Sequence, residues 1–133
     1  MTLDFDWARS VNPQDAMPLH AQLERSIRVA IASGRLRPND QLPTVRQLAV
    51  ALRVNANTVA KVYTHLERAG VLETRRGVGT FVVDAPASAG NQKVRDAELR
   101  AIVMRALADA SAGGFSLSDL RRELQSISKG AMP

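Results

Sequence analysis

The sequence predicts a mainly α chain carrying one small β-hairpin, and three observations support that prediction. Apolar residues recur at helical spacing in five separate windows. One stretch, "VLETRRGVGTFVV", instead sets β-formers on both sides of a glycine-containing centre. A run of small residues, "DAPASAGNQ" at 84–92, divides the chain into a longer first part and a shorter second part.

Residues 19–33, "LHAQLERSIRVAIAS", place Leu19, Leu23, Ile27, Ala30 and Ile31 on one face, and Gly34 supplies a stop, so they predict a first helix. Residues 35–43, "RLRPNDQLP", hold two prolines and an Asn-Asp pair and read as a connector. Thr44 opens a second helix, because its hydroxyl can accept from the amide of Gln47 while the Gln47 side chain reaches back, a capping box. Val45, Leu48, Ala49 and Leu52 form its apolar stripe. After the turn "RVN", Asn55 is a suitable N-cap for a third helix whose stripe is Val59, Val62, Tyr63 and Leu66. Two short helices joined by such a turn make a helix-turn-helix, whose second member normally enters a DNA major groove, although ordinary helical hairpins share the outline.

The hairpin that follows has Arg75, Arg76, Gly77 and Gly79 at its tip. Its GxG does not read as a nucleotide loop, which needs a strand before it and a helix after it. A hairpin with a basic tip directly behind a helix-turn-helix is a wing, and the combination is more specific than either part. Beyond a linker at 85–92, Leu99, Ile102, Val103, Ala106 and Ala110 predict a fourth helix. "GGFSLSDLRREL" ends it and starts a fifth, with a Ser116/Asp119 capping box, Phe115 stapled to Leu120, and Leu117, Leu120, Leu124 and Ile127 on its apolar side. The expected organisation is an N-terminal arm (1–17), a winged helix-turn-helix domain (18–84), the linker (85–92), a two-helix C-terminal dimerisation region (93–128) and a frayed tail (129–133).

Composition excludes several classes of function. The chain of 133 residues has no cysteine, which removes disulfides, thiolate metal sites and cysteine nucleophiles. Its two histidines, His20 and His65, lie far apart in sequence, so neither a metal site nor a cofactor is expected. No nucleophile, base or metal set converges anywhere, so an enzyme is not expected. The absence of a membrane-length apolar run and of a secretory h-region predicts a cytoplasmic protein without a membrane partner. The net charge of +5 is concentrated: residues 24–76 hold ten Lys/Arg against four Asp/Glu, a local excess of +6. On the third helix, Asn57, Lys61, Thr64 and Arg68, flanked by Thr58 and His65, form an outward face with no carboxylate before Glu67. Solvated faces usually mix both signs, so this one suits a phosphate-facing surface.

At this point the residues resemble a known family. The run "GRLRPNDQLPTVRQLAVALRVNANTVAKVYTHLERAGVLETRRGVGTFV" is similar to the DNA-binding domain of GntR-family bacterial transcription regulators, over roughly residues 18–83. The short remainder resembles the YtrA-like subfamily. The resemblance implies a winged helix-turn-helix homodimer on a double-stranded, inverted-repeat operator; a repressor is the expected regulator, and the sequence does not separate repression from activation. It implies that Arg46, Asn55, Asn57, Thr58 and the wing residues Arg76 and Gly77 are DNA-binding; Thr44, Lys61 and Arg75 complete the candidate set. Some members carry arginines where this chain has Ala56 and Ala60, which leaves Lys61 to compensate as a point charge. Asn39 stands where glycine is common, and no structural consequence is expected, since asparagine tolerates the left-handed conformation.

Chemistry gives these residues distinct expected roles. Asn57 can pair bidentately with an adenine edge. Asn55 is first a cap, and Thr58 is either a contact to a phosphate or thymine methyl or simply a first-turn residue. Arg46, Lys61 and Arg75 suit phosphates or nearby base edges, and Arg76 suits a narrow A·T-rich minor groove. His65 is a peripheral contact or a plain surface residue. The C-terminal helices cannot bury both their stripes alone, which predicts pairing with a second copy, and Trp7 is expected to pack across that dimer. Any effector ligand remains unidentified, and a small-molecule pocket in the C-terminal helices is disfavoured. The competing reading is a small protein-interaction adaptor with non-specific nucleic-acid affinity, which accounts for the C-terminal helices but not for the basic wing.

Overall fold

The computed structural model describes residues 6–8, 11–84 and 92–129, and its contacts separate two compact units, Met1–Asp84 and Ala85–Pro133. Most of the linker at 85–92 and of the tail at 129–133 lies outside the described residues. The first unit runs from a short 3-10 turn, Asp6–Ala8, through α1 (Leu19–Ala32), α2 (Val45–Leu52), α3 (Ala56–Arg68), β1 (Leu72–Arg75) and β2 (Gly79–Val82). The second holds α4 (Gln92–Ala112) and α5 (Leu117–Lys129). The architecture is mainly α with a two-stranded wing, the winged helix-turn-helix that the sequence predicts.

A single core organises the first unit. Leu23 and Ile27 of α1, Leu48 of α2, and Val59 and Leu66 of α3 are almost wholly removed from water, and Leu72 and Val82 close the core from the wing. Each such side chain contributes about 1.5–3 kcal/mol of burial. Tyr63 is also buried, and its hydroxyl donates to the Pro43 carbonyl at 2.7 Å, tying α3 to the residue just before the α2 cap. Burial pushes the Tyr63 phenol well above its ordinary range, so it remains a donor.

The helix ends follow from side chains. Thr44 Oγ1 accepts from the Gln47 amide (3.0 Å) and Gln47 Oε1 accepts from the Thr44 amide (2.9 Å), completing the capping box. Asn55 Oδ1 accepts from the Asn57 amide at 2.8 Å and starts α3. Between the two helices Arg53 takes the left-handed conformation (φ 57°), and the Val54 amide returns to the Ala49 carbonyl at 3.0 Å. A non-glycine residue in that region signals a turn whose shape is imposed by its surroundings.

Three features differ from the sequence expectation. The first lies in the N-terminal arm, of which residues 1–5 and 9–10 are outside the described residues: Ala8 is fully buried, and Trp7 and Val11 pack against the core of their own unit, a packing the sequence reading does not include. Gln22 holds this stretch in place, donating from Nε2 to the Asn12 (2.9 Å) and Met17 (2.6 Å) carbonyls and accepting from the Asn12 amide at 2.7 Å. The connector is the second difference. It lies along the free edge of β2, with an antiparallel bridge Gln41↔Phe81 and amide–carbonyl bonds Leu42→Thr80 (2.8 Å), Asn39→Val82 (2.9 Å) and Val82→Asp40 (2.9 Å). It thereby satisfies backbone groups that an uncovered edge would leave open.

Asn39 is the third. It does adopt φ 72°, but its side chain has a consequence: Oδ1 accepts from Arg75 at 2.9 Å and Nδ2 donates to Asp84 at 3.1 Å. A glycine there would supply neither bond.

In the second unit, Ser116 and Asp119 cap α5 reciprocally, with bonds of 2.8 and 3.2 Å, and Arg122 reaches the Asp119 carboxylate at 2.7 Å. The Ser116 amide, then the Arg122 and Ser116 side-chain bonds, hold the Asp119 carboxyl below its ordinary range. The Phe115 ring lies over Gly113. No residue of α4 is buried, and Leu99, Ile102, Val103, Leu117 and Leu124 are all exposed.

Replacing Tyr63 by Phe is expected to lower stability by about 1–2 kcal/mol, since the Pro43 carbonyl then loses its partner. A denaturant midpoint that falls at unchanged slope checks this. Tyr63 is the only tyrosine, and its phenol ionises near 10.0 when unfolded but higher when folded. Its stabilising contribution is therefore full below pH 10.0 and declines as pH rises further. Tyr63→Phe should remove that alkaline decline.

Candidate nucleic-acid interface

The interface begins with the rotation of α3. Because Val59, Val62, Tyr63 and Leu66 are buried, Asn57, Lys61, Thr64 and Arg68 must point outward, and all four are exposed. The Asn55 side-chain oxygen is engaged in the cap, whereas the Asn57 side chain has no partner among the described residues, which leaves its amide donors and acceptor open. Thr58 is half-buried and lies beside Lys61 on the wall of a groove between α3 and α1. Arg46 stands exposed in the first turn of α2, next to the capped Thr44.

Charge is distributed in a consistent way around this face. All four carboxylates of residues 24–76 are engaged. Glu24 faces Arg28 (3.4 Å) and His65 (3.3 Å), Asp40 accepts from the Arg37 amide (2.8 Å), Glu67 accepts from the Thr74 hydroxyl, and Glu73 binds Arg75 (2.8 Å). Of the ten Lys/Arg in the same span, only Arg28 and Arg75 have side-chain partners among the described residues. Arg46, Lys61, Arg68 and Arg76 therefore keep their charges unneutralised by protein. Exposed cations of this kind gain from a polyanion by releasing its counterions.

The wing separates its two arginines by role. The Arg75 guanidinium binds Glu73 and Asn39 and lies over the Phe81 ring, 4.1 Å from its centroid. Beyond the expected contact to a phosphate or nearby base edge, Arg75 holds the wing to the connector. Arg76 occupies the turn itself, exposed and without a side-chain partner among the described residues. The turn closes from the Val78 amide to the Arg75 carbonyl at 2.9 Å, with Gly77 at φ 76° in its third position, the type II pattern. A Cβ on Gly77 would meet nothing within 4 Å, so the constraint there is conformational and the bare backbone leaves the tip thin. Gly79 is different, because a Cβ there would run into the Gln41 amide nitrogen, which donates to the Val78 carbonyl at 3.0 Å.

Asn39, Gln41 and Glu24 escaped sequence reasoning. The first two lie in "NDQL", three polar residues and a leucine between prolines, which carries no strand pattern. His65 resolves as a tie between α3 and α1 through Glu24. Among the described residues no group of three or more His, Asp or Glu is placed to hold a metal ion, and no helix is long and apolar enough to cross a membrane.

The two wing arginines should separate experimentally. Arg75→Ala is expected to cost about 1 kcal/mol of stability, through the ring contact and its two hydrogen-bonded partners, and Arg76→Ala less than about 0.5 kcal/mol. Thermal unfolding of both variants measures the difference.

Comparison with known proteins agrees with this geometry. The profile described as bacterial regulatory proteins, gntR family, matches residues 19–82. The HTH-type transcriptional repressor YtrA of Bacillus subtilis is 31% identical over 121 residues, covering 89% of this chain and 90% of that one. An HTH-type transcriptional regulator of Mycobacterium tuberculosis is 37% identical over 122 residues, covering 92% and 94% respectively. The solved structure of YtrA from Sulfolobus acidocaldarius, a GntR-family transcription factor, superposes with a TM-score of 0.55 at 32% identity, covering 74% of this chain and 96% of that one. With a capped recognition helix, a basic wing and relatives matched over nearly their whole length, the chain belongs to the GntR family of DNA-binding bacterial transcription regulators.

Proposed function

We propose that the chain is a homodimeric transcriptional repressor that reads an inverted-repeat operator with α3 and steadies it with the wing. The observation that carries this reading is the outward face of α3: Asn57 and Lys61 are exposed and without side-chain partners among the described residues, while every carboxylate nearby is engaged. Asn57 reads a base edge, Lys61 and Arg46 contact phosphates or nearby base edges, and Arg76 enters the minor groove beside Gly77. Thr44 and Asn55 act mainly by fixing the helix starts and secondarily as phosphate contacts, and Thr58 contacts a phosphate or a thymine methyl. Arg75 contributes by shaping the wing.

The C-terminal helices support the dimer. Leu99, Ile102, Val103, Leu117 and Leu124 are about half or more exposed at 61%, 57%, 47%, 55% and 64%. A second copy of α4 and α5 would cover these stripes and hold two recognition helices about one DNA turn apart, roughly 34 Å. Repression is the activity named for the Bacillus subtilis relative, and a dimer occupying a promoter blocks it without needing an effector. On this reading 93–128 is the dimerisation region, 18–84 the DNA-binding domain, and no cofactor takes part.

Selection of bound duplexes from a random pool tests the reading. The wild type should recover a two-fold-symmetric site. Asn57→Ala should relax preference at one position per half-site, a loss of about 1–3 kcal/mol against the wrong base. Recovery of no preferred sequence would remove the recognition role of α3. For the dimer, Leu124→Glu should convert the sedimenting species to a monomer and weaken operator binding while leaving the unfolding of the first unit unchanged.

A further inference from the structure

The groove between α1 and α3 has a composition that the reading above leaves unused. It is an open trough of about 1070 Å³, with Val29 and Val62 among its apolar lining and Arg25, Arg28, Lys61 and His65 among its polar lining. Glu24 is its one carboxylate, and both its oxygens are already occupied by Arg28 and His65. Arg25 and Lys61 have no side-chain partner among the described residues. With both histidines neutral, three cations face one carboxylate, so the groove carries a net positive charge.

We infer that this groove seats the sugar–phosphate backbone flanking the major groove that α3 enters, with Arg25 and Arg28 of α1 as phosphate-positioning residues. Two features choose this occupant. The groove is continuous with the recognition face, since Thr58 and Lys61 line it and belong to the first two turns of α3. Its cations are also well hydrated: Arg25, Arg28 and Lys61 are all exposed, the Arg28 side chain by 47%. A small acid would gain little from such exposed charges, but a polyanion gains through counterion release. The apolar patch beside them suits deoxyribose. Glu24 then has a second role: by engaging Arg28 and His65 it lowers the groove's attraction for phosphate, so affinity is tempered from within the interface.

The inference rests on the proposed DNA-binding role and is tested with the full-length chain on a duplex of the selected sequence and a scrambled one. Binding is titrated over a range of salt concentrations for the wild type, Arg25→Ala, Arg28→Ala, Arg25→Lys and Glu24→Gln. Each alanine variant should weaken binding about threefold to tenfold on both duplexes alike and reduce the salt slope by about 0.9. Arg25→Lys should restore the slope. Glu24→Gln should tighten binding to both duplexes. Thermal midpoints near the wild-type value exclude misfolding as the cause. If the wild type binds the selected duplex but the alanine variants keep its affinity and slope, this inference alone is overturned. Loss of sequence preference in place of affinity would equally overturn it, because it would make the arginines base contacts. If the wild type binds no duplex, the DNA-binding reading itself fails.

Discussion

Burial of one stripe on α3 determines what the protein can present to a partner. Val59, Val62, Tyr63 and Leu66 together remove most of the inner face of the helix from water, at a gain of several kcal/mol. A rotation of even one residue, about 100°, would expose part of that stripe and bury Lys61 or Thr58 instead. The rotation is reinforced at both ends. The Asn55 cap fixes where the helix starts, and the Tyr63 hydroxyl bond to the Pro43 carbonyl fixes how it sits against the approach to α2. The outward display of Asn57, Lys61, Thr64 and Arg68 is thus a consequence of packing, independent of any ligand.

The wing depends on a different constraint. Two four-residue strands make a marginal hairpin in water, and here the pair is not alone. The connector pairs with the outer edge of β2, Asn39 links it to Arg75 and Asp84, and Gln41 reaches the Val78 carbonyl in the turn. Arg75 contributes its charge to this lamination, stacked on Phe81, and that leaves Arg76 as the free cation of the tip. Two adjacent arginines therefore differ in what surrounds them: Arg75 is bonded within the wing, and Arg76 is exposed without a side-chain partner among the described residues.

Most of the helices were legible because each leaves local marks: a stripe at helical spacing, a capping box at Thr44 and at Ser116, and an asparagine cap at Asn55. The hairpin was legible from its glycines. What was not legible depends on contacts distant in sequence. Gln22 binds a segment ten residues away, and Asn39 meets Arg75 across 36 residues; neither pairing leaves a periodic trace. The connector looked irregular because its hydrogen bonds are made to β2 and not to itself. The packing of Trp7 against its own core was not legible for a related reason, since an isolated tryptophan carries no indication of which surface it covers. The candidate site was partly legible: the absence of carboxylates from the α3 face was visible in the sequence, but the engagement of Arg75 and Glu24 required side-chain positions.

The chain's lack of cysteine permits the most direct test of the central claim, that the α3 face lies in the DNA major groove. A single Thr64→Cys replacement on that exposed face gives one attachment point for an iron chelate that cleaves nearby DNA through hydroxyl radicals. Bound to its selected duplex, the tethered protein should cut at one discrete cluster of positions on the two strands of each half-site. If the duplex is retained but cleavage is no more localised than with free chelate, α3 does not face the DNA, and the account of this interface is contradicted.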